Sequence, residues 1–136
     1  MEPGRRLGIA WVALCGALAL HVVDEAATDF LSVYNRAVRA IREQAPFLPL
    51  PTFTFDVWLG GLILGIIALF SLAPLAFRRN RWVMRAAYPF AVLMFANGIG
   101  HIAGSLYLGR LMPGVYSSPL LLIASAHLFT CALRQR

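Results

Sequence analysis

Lysine is absent from this chain of 136 residues, and only six of its side chains are acidic. Charged residues make up 13% of the total, against about 25% in an average soluble domain. This poverty excludes a disordered chain, which is rich in charge and poor in apolar groups. The only two cysteines, Cys15 and Cys131, sit inside apolar runs. They read as small buried hydrophobes and offer no disulfide framework. Neither a Gly-flanked serine elbow nor a phosphate-binding glycine loop is present. What the chain does contain is apolar: 60% of its residues are hydrophobic. A soluble globule of this length keeps too much surface exposed to hide that fraction. The expected solvent is therefore the lipid bilayer.

All twelve basic residues are Arg, and the net charge is +6. A nucleic-acid-binding protein would gather such charge on one soluble face, with aromatics among it. Here the arginines lie between apolar runs, as they do at the cytoplasmic ends of membrane spans. No nucleic-acid partner is expected.

A span takes about 20 apolar residues to cross about 30 Å of hydrocarbon. Four stretches meet or approach this, over 7–30, 56–77, 84–109 and 114–133. They are continuous rather than alternating, which excludes barrel strands. The expected fold is all-α, a single domain forming a four-transmembrane-helix bundle. Its first span also resembles a secretory signal, with Arg5 and Arg6 ahead of an apolar run and Ala17-Leu18-Ala19 as a cleavage-like site. An uncleaved helix is expected, because the polar cluster just beyond Ala19 fits inside a bundle. With the N-terminus inside, the inner side carries Arg5, Arg6, Arg78, Arg79, Arg81, Arg85, Arg134 and Arg136. The outer side carries Arg36, Arg39, Arg42 and Arg110. This imbalance places both termini in the cytoplasm, and the protein in the bacterial cytoplasmic membrane.

Between the first two spans, Leu31, Tyr34, Val38 and Ile41 recur at helical spacing, with arginines elsewhere around the wheel. An interfacial helix or helical extension is expected there. Pro46, Pro49 and Pro51 then exclude regular helix. The resulting Pro-rich segment should lie on the bilayer surface or cap the bundle. Gly60, Gly61 and Gly65, and the pair Gly100 and Gly104, suit close packing of helices. Trp11, Trp58 and Trp82 fall near span ends, where indole rings favour the interface.

The polar residues inside these spans are few and clustered. His21, Asp24 and Glu25 share a helix face, and Asp29 follows one turn beyond Glu25. Asn97 and His101 share another face four residues apart. Ionisable groups inside a membrane are costly and usually face a cavity, a partner or a ligand. Depth follows from the rise per residue. His21 lies about 21 Å up the first span from Leu7, and His101 about 24 Å up the third from Arg85. Both spans run outward, so the two histidines should meet at similar depth. His127 in the last span reads as a helix-packing histidine, and Ser105, Ser117, Ser118 and Ser125 as packing or turn residues.

Such a cluster admits four readings. His21, Glu25 and His101 could ligate Zn, Fe or Mn, with open positions left for water or substrate. Asp24 or Asp29 would then orient a histidine from behind. Glu25 and Asp24 could instead do acid–base chemistry without a metal. The acids could line a proton or ion path. Last, the cluster could be a polar network that locks two helices together.

The same residues resemble the HXXEE-domain family of small polytopic membrane proteins. That family is marked by His-x-x-Glu-Glu, a second histidine and Tyr-x-Pro-Gly. Here the first motif stands as His21-Val22-Val23-Asp24-Glu25, with Asp for the first Glu. His101 matches the second histidine, and Leu111-Met112-Pro113-Gly114 matches the third motif with Leu for Tyr. Tyr107 and Tyr116 lie near enough in sequence to replace that hydroxyl. The resemblance implies a shared polar site at His21, Asp24, Glu25 and His101, and names no reaction. The leading expectation is a small membrane-embedded enzyme, metal-dependent in one version, acting on a lipidic or other hydrophobic small molecule. Glu25 and Asp24 would carry its chemistry, His21, Glu25 and His101 would hold the metal, and Asn97, Asp29, Pro113 and Gly114 would support them. The alternative is a non-enzymatic membrane protein: a transporter component, or a homo-oligomer stabilised by the polar network.

Overall fold

The computed structural model describes residues 2–134. Arg136, counted above among the inner charges, lies outside the described residues. Within them the chain is helical throughout, with no strand. Its elements are α1 (Pro3–Ala27), α2 (Phe30–Gln44), α3 (Phe55–Ser71), α4 (Ala73–Phe77), α5 (Arg81–Leu108) and α6 (Ser118–Leu133). Three stretches are long and apolar enough to cross a membrane: Gly4–Ala27, Phe55–Phe77 and Arg81–Leu108. The fourth expected span, over 114–133, forms a helix of only 16 residues, or about 24 Å. Its first residues are lost to the turn at Pro113 and Gly114, where Gly114 takes φ +85°.

Each break between helices has a local cause. α1 ends where Thr28 folds back, its N–H and Oγ1 both donating to Asp24 O at 3.0 and 2.6 Å. Asp29 then adopts φ 59°, ψ 44°, a left-handed conformation that Asp tolerates better than most side chains. The chain turns there, so the first helix does not run on to residue 30. α3 and α4 are one span bent at Leu72, because Pro74 in the first turn of α4 brings no N–H to the ladder. Asn80 starts α5 by accepting the Trp82 N–H at 2.9 Å. Gly109, at φ 61°, ends it.

α2 matches the expected amphipathic helix, with Leu31 and Val38 buried and Arg36, Arg39 and Arg42 exposed. The Pro-rich stretch is irregular, as expected, and lies back along α2. Asn35 holds it in both senses, donating to Phe53 O at 2.8 Å and accepting from Phe53 N at 3.1 Å. Tyr34 Oη adds a bond to Pro51 O, and Arg42 one to Leu50 O.

The core gathers around α1. Leu7, Ala10, Trp11, Leu14 and Cys15 meet Ala76 of α4, Val83, Ala87 and Ala91 of α5, and Leu121 and Leu128 of α6. α6 lies against both α1 and α5, whereas α1 and α5 touch each other little. Cys15 and Cys131 are buried free thiols. Trp11 departs from the interfacial role expected of it, being 1% exposed. It packs on Phe90 at 5.2 Å, and its Nε1 donates to Leu69 O at 2.8 Å, at the bend before α4. The bend leaves a carbonyl that an indole N–H can reach, which hydropathy alone does not reveal.

The glycines also behave differently from expectation. Gly60, Gly61, Gly65 and Gly100 face open space within the chain, and α3 has no buried residue. Close approach occurs instead at Gly4 and Gly8, which lie against Phe77, at Gly98 against Leu122, and at Gly104 against Met112.

Trp11 gives a direct test of this core. Trp11→Ala should destabilise the detergent-solubilised protein by about 3–5 kcal/mol, the usual cost of emptying a large aromatic site. Trp11→Phe should cost about 1 kcal/mol, chiefly the lost hydrogen bond. Thermal unfolding followed by circular dichroism measures both. Equal effects from the two would show that the indole N–H, and not the packing, holds the bend.

Candidate metal centre

The last turns of α1 carry His21, Asp24 and Glu25, and His101 projects from α5 to meet them. The 9-residue loop over 109–117 closes over the meeting point and returns the chain to α6. His21, His101 and Glu25 are 0%, 3% and 6% exposed, and among the described residues the other buried polar side chains are the hydroxyls of Ser118 and Ser125. One carboxylate oxygen serves both imidazoles. Glu25 Oε1 lies 3.1 Å from His101 Nε2 and 3.5 Å from His21 Nε2. Three potential ligand atoms, one from each residue, lie within 4.8 Å of one another. The two rings meet edge to face at 4.7 Å, and Phe30 covers His101 at 5.2 Å.

Hydrogen-bond partners decide which way the nitrogens point. His101 Nδ1 lies 2.5 Å from Pro113 O. A carbonyl only accepts, so Nδ1 carries the proton. A neutral His101 therefore turns the Nε2 lone pair toward Glu25. His21 Nδ1 bonds Ser117 Oγ at 2.8 Å. His21 Nε2 has no hydrogen-bond partner among the described residues, although it is fully buried. Buried polar atoms without partners are rare and costly. With His21 in its Nδ1–H form the centre presents electron-rich atoms to one another and calls for a positive charge. A single proton satisfies the His101–Glu25 contact and leaves His21 Nε2 orphaned. A cation shared by all three satisfies every atom, and the second nitrogen of each imidazole is already bonded, as is usual for metal-ligating histidines.

The loop is shaped to permit this contact. Ser105 Oγ donates to His101 O at 2.7 Å and accepts from Met112 N at 2.8 Å, tying the loop to the turn of α5 that bears the histidine. At Gly114 a Cβ would stand 2.7 Å from His101 Cε1 and 3.0 Å from Glu25 Cγ. Only a residue without a side chain lets the backbone lie there, and its φ of +85° requires the same choice.

The expected site residues divide into two groups. His21, Glu25 and His101 converge. Pro113 and Gly114 join them through the backbone. Asp24 is adjacent but points to the loop: its Oδ2 accepts from both Ser117 N and Ser117 Oγ at 2.8 Å. Asp29 stands apart, exposed at the turn into α2 and accepting from Ser32 Oγ at 2.8 Å. Asn97 is half-buried one turn before His101, with no hydrogen bond to the cluster among the described residues. Leu111, Tyr107 and Tyr116 are all exposed, so neither tyrosine supplies a hydroxyl to the centre. His127 is exposed beside Cys131, with 3.8 Å between Nε2 and Sγ. The Pro-rich stretch follows α2, and the roof over the centre is the 109–117 loop with Phe30. Ser105, Ser117 and Ser118, expected only as packing or turn residues, bond the loop and the elements that carry the centre. For Ser117 and Ser118, position directly after the Pro-Gly turn was the one available signal.

Gly114→Ala and Gly109→Ala separate clash from backbone strain. Gly109 also has positive φ, but open space where its Cβ would be. Gly109→Ala should cost about 1–2 kcal/mol, the left-handed penalty alone. Gly114→Ala should cost clearly more and displace His101, seen as a larger fall in thermal midpoint and a changed His101 signal in NMR spectra. Equal costs would show that the loop yields without disturbing the centre.

No curated protein and no solved structure matches the chain. A family model described as "Protein of unknown function with HXXEE motif" matches residues 11–129. That match includes all three converging side chains and the loop that covers them, and by it the chain belongs to the HXXEE family.

Proposed function

We propose that this chain is a multi-pass protein of the bacterial cytoplasmic membrane in which His21, Glu25 and His101 hold a divalent transition metal used on a hydrophobic, lipid-derived substrate. The observation that carries the reading is the fully buried His21 Nε2 without a hydrogen-bond partner, beside a carboxylate oxygen that also faces His101 Nε2. Two imidazoles with one carboxylate suit Zn, Fe or Mn. Three protein ligands leave positions open, as in catalytic rather than structural sites. A metal so held would supply Lewis acidity at a polar group of the substrate. The protein's own part is to exclude water with Phe30 and the loop, to aim both Nε2 atoms inward, and to keep Glu25 at their junction.

The membrane arrangement rests on charge and on the path of α6. Tyr88 Oη bonds Ala132 O at 3.0 Å, and Gly98 lies against Leu122 and Ser118 O. α6 therefore runs antiparallel along α5, back toward the end that bears Arg78, Arg79, Arg81 and Arg85. As a fourth, short crossing it brings both termini to the arginine-rich, cytoplasmic side. A second reading concerns assembly. α3 buries nothing within the chain and turns Gly60, Gly61 and Gly65 outward, a face suited to a second copy in a homo-oligomer.

Metal content tests the central claim. Protein purified in detergent without chelators, then reloaded with Zn2+, Fe2+ or Mn2+, should hold about one ion per chain by mass spectrometry. His21→Ala combined with Glu25→Ala should hold none. A wild-type protein that stays metal-free after reloading overturns the metal reading. Orientation is tested in a Cys15→Ala, Cys131→Ala background. Gln44→Cys should react with an impermeant maleimide on intact cells, and Arg81→Cys only after lysis. The opposite pattern would reverse the topology.

A further inference from the structure

Ser117 can play either part in its bond to His21. A hydroxyl donates or accepts with equal ease, so the 2.8 Å contact with His21 Nδ1 does not by itself say which ring nitrogen is protonated. For His101 the Pro113 carbonyl removes this freedom. For His21 this freedom decides whether a proton or a lone pair is directed at Glu25.

Asp24 removes it. Its Oδ2 receives the Ser117 N–H and the Ser117 Oγ–H, both at 2.8 Å. An oxygen that already takes the backbone N–H serves as an acceptor, so the hydroxyl proton is committed to Asp24 Oδ2. Ser117 Oγ is left to accept, and His21 Nδ1 must donate to it. The alternative acceptor for the hydroxyl, Gly114 O, is more distant at 3.3 Å and already takes Ser118 Oγ–H at 2.8 Å. We infer that Asp24 and Ser117 are a positioning pair that holds His21 in its Nδ1–H form, so that the His21 Nε2 lone pair faces Glu25 and whatever cation lies there.

The two acids of the motif then do different work. Glu25 contacts the imidazoles directly. Asp24 acts on His21 through a residue 93 positions away in the chain. Because Ser117 stands immediately before α6 and donates its backbone N–H to the same oxygen, the pair also sets where α6 begins relative to α1. The tautomer inference stands on these hydrogen bonds alone. Only its consequence for ion affinity rests on the metal reading.

The test uses 15N NMR of the full-length, metal-free protein in detergent, labelled at histidine, in an alkaline buffer where imidazoles are neutral. Wild type should show Nδ1–H at both His21 and His101. Ser117→Ala should move His21 to the Nε2–H form, which can then bond Glu25, and leave His101 unchanged. Ser117→Thr should restore the wild-type signal, and Asp24→Ala should shift part of the His21 population. Zn2+ affinity should fall roughly 10–100-fold in Ser117→Ala, the usual effect of losing a ligand's outer partner, and recover in Ser117→Thr. An Nε2–H His21 in wild type overturns the inference, even if every variant fails to fold. So does a Ser117→Ala protein with lower stability but an unmoved His21 tautomer. Tautomers that respond as described in a protein that never binds Zn2+ support the pair and count against the metal reading alone.

Discussion

A carboxylate oxygen placed between two imidazole nitrogens, out of reach of water, is the constraint around which one end of this bundle is built. Glu25 is 6% exposed and His21 is fully buried. Such groups are costly in an apolar interior unless each polar atom finds a partner. The partners come from three places in the chain. α1 supplies His21 and Glu25 on one face, α5 supplies His101, and the loop supplies Pro113 O, Ser117 and the gap at Gly114. Moving any of these leaves an atom unsatisfied. The loop is therefore part of the centre rather than a connector, and Gly114 is the means by which its backbone reaches the rings.

This explains a fold in which α1 and α5 scarcely pack together. α6 fills the space between them, through Leu121, Leu128 and the small residues around them, down to the arginine-rich end. At the opposite end, polar contacts take over. The apolar core sets depth and the hydrogen bonds set register. Asp24 contributes to that register by holding Ser117, and so do Ser105 and Met112 by holding the loop to α5.

Much of the centre is legible in the sequence, because helical spacing is rigid. Residues four apart share a face, and a rise of about 1.5 Å per residue put His21 and His101 at similar depths. That arithmetic needed only approximate helix ends. The interfacial helix was legible for the same reason, since Leu31 and Val38 follow one stripe. What escaped depends on chain turns. Asp29 was assigned to the face of Glu25, but the left-handed turn at that very residue ends the helix. Ser117 and Ser118 are unremarkable in sequence, and acquire partners only when the loop brings α6 beside α1. Trp11 was assigned to the interface by type. The Leu69 carbonyl beside the Leu72 bend, 58 residues away, takes its indole N–H and holds it inside. The glycines are a related case: spacing identifies a smooth face and not the neighbour that covers it.

The location of the ionisable groups bears on whether the cluster is structural. A buried ion pair or polar network is weak support for stability, since well-packed apolar residues in its place are often as stable or more so. Helix packing by itself would be served at least as well by the leucines and alanines that fill the arginine-rich half of the bundle. Helix-locking networks also work best when every member is satisfied. This one is not, because His21 Nε2 is left over. The loop has moreover accepted a left-handed residue and a close approach at Gly114 to keep the rings in contact. A close backbone approach and an unsatisfied atom at the same place, in a chain whose other described charges lie outside the core, support the proposal of a site arranged for a ligand. A bundle held together by that cluster alone would have no use for either.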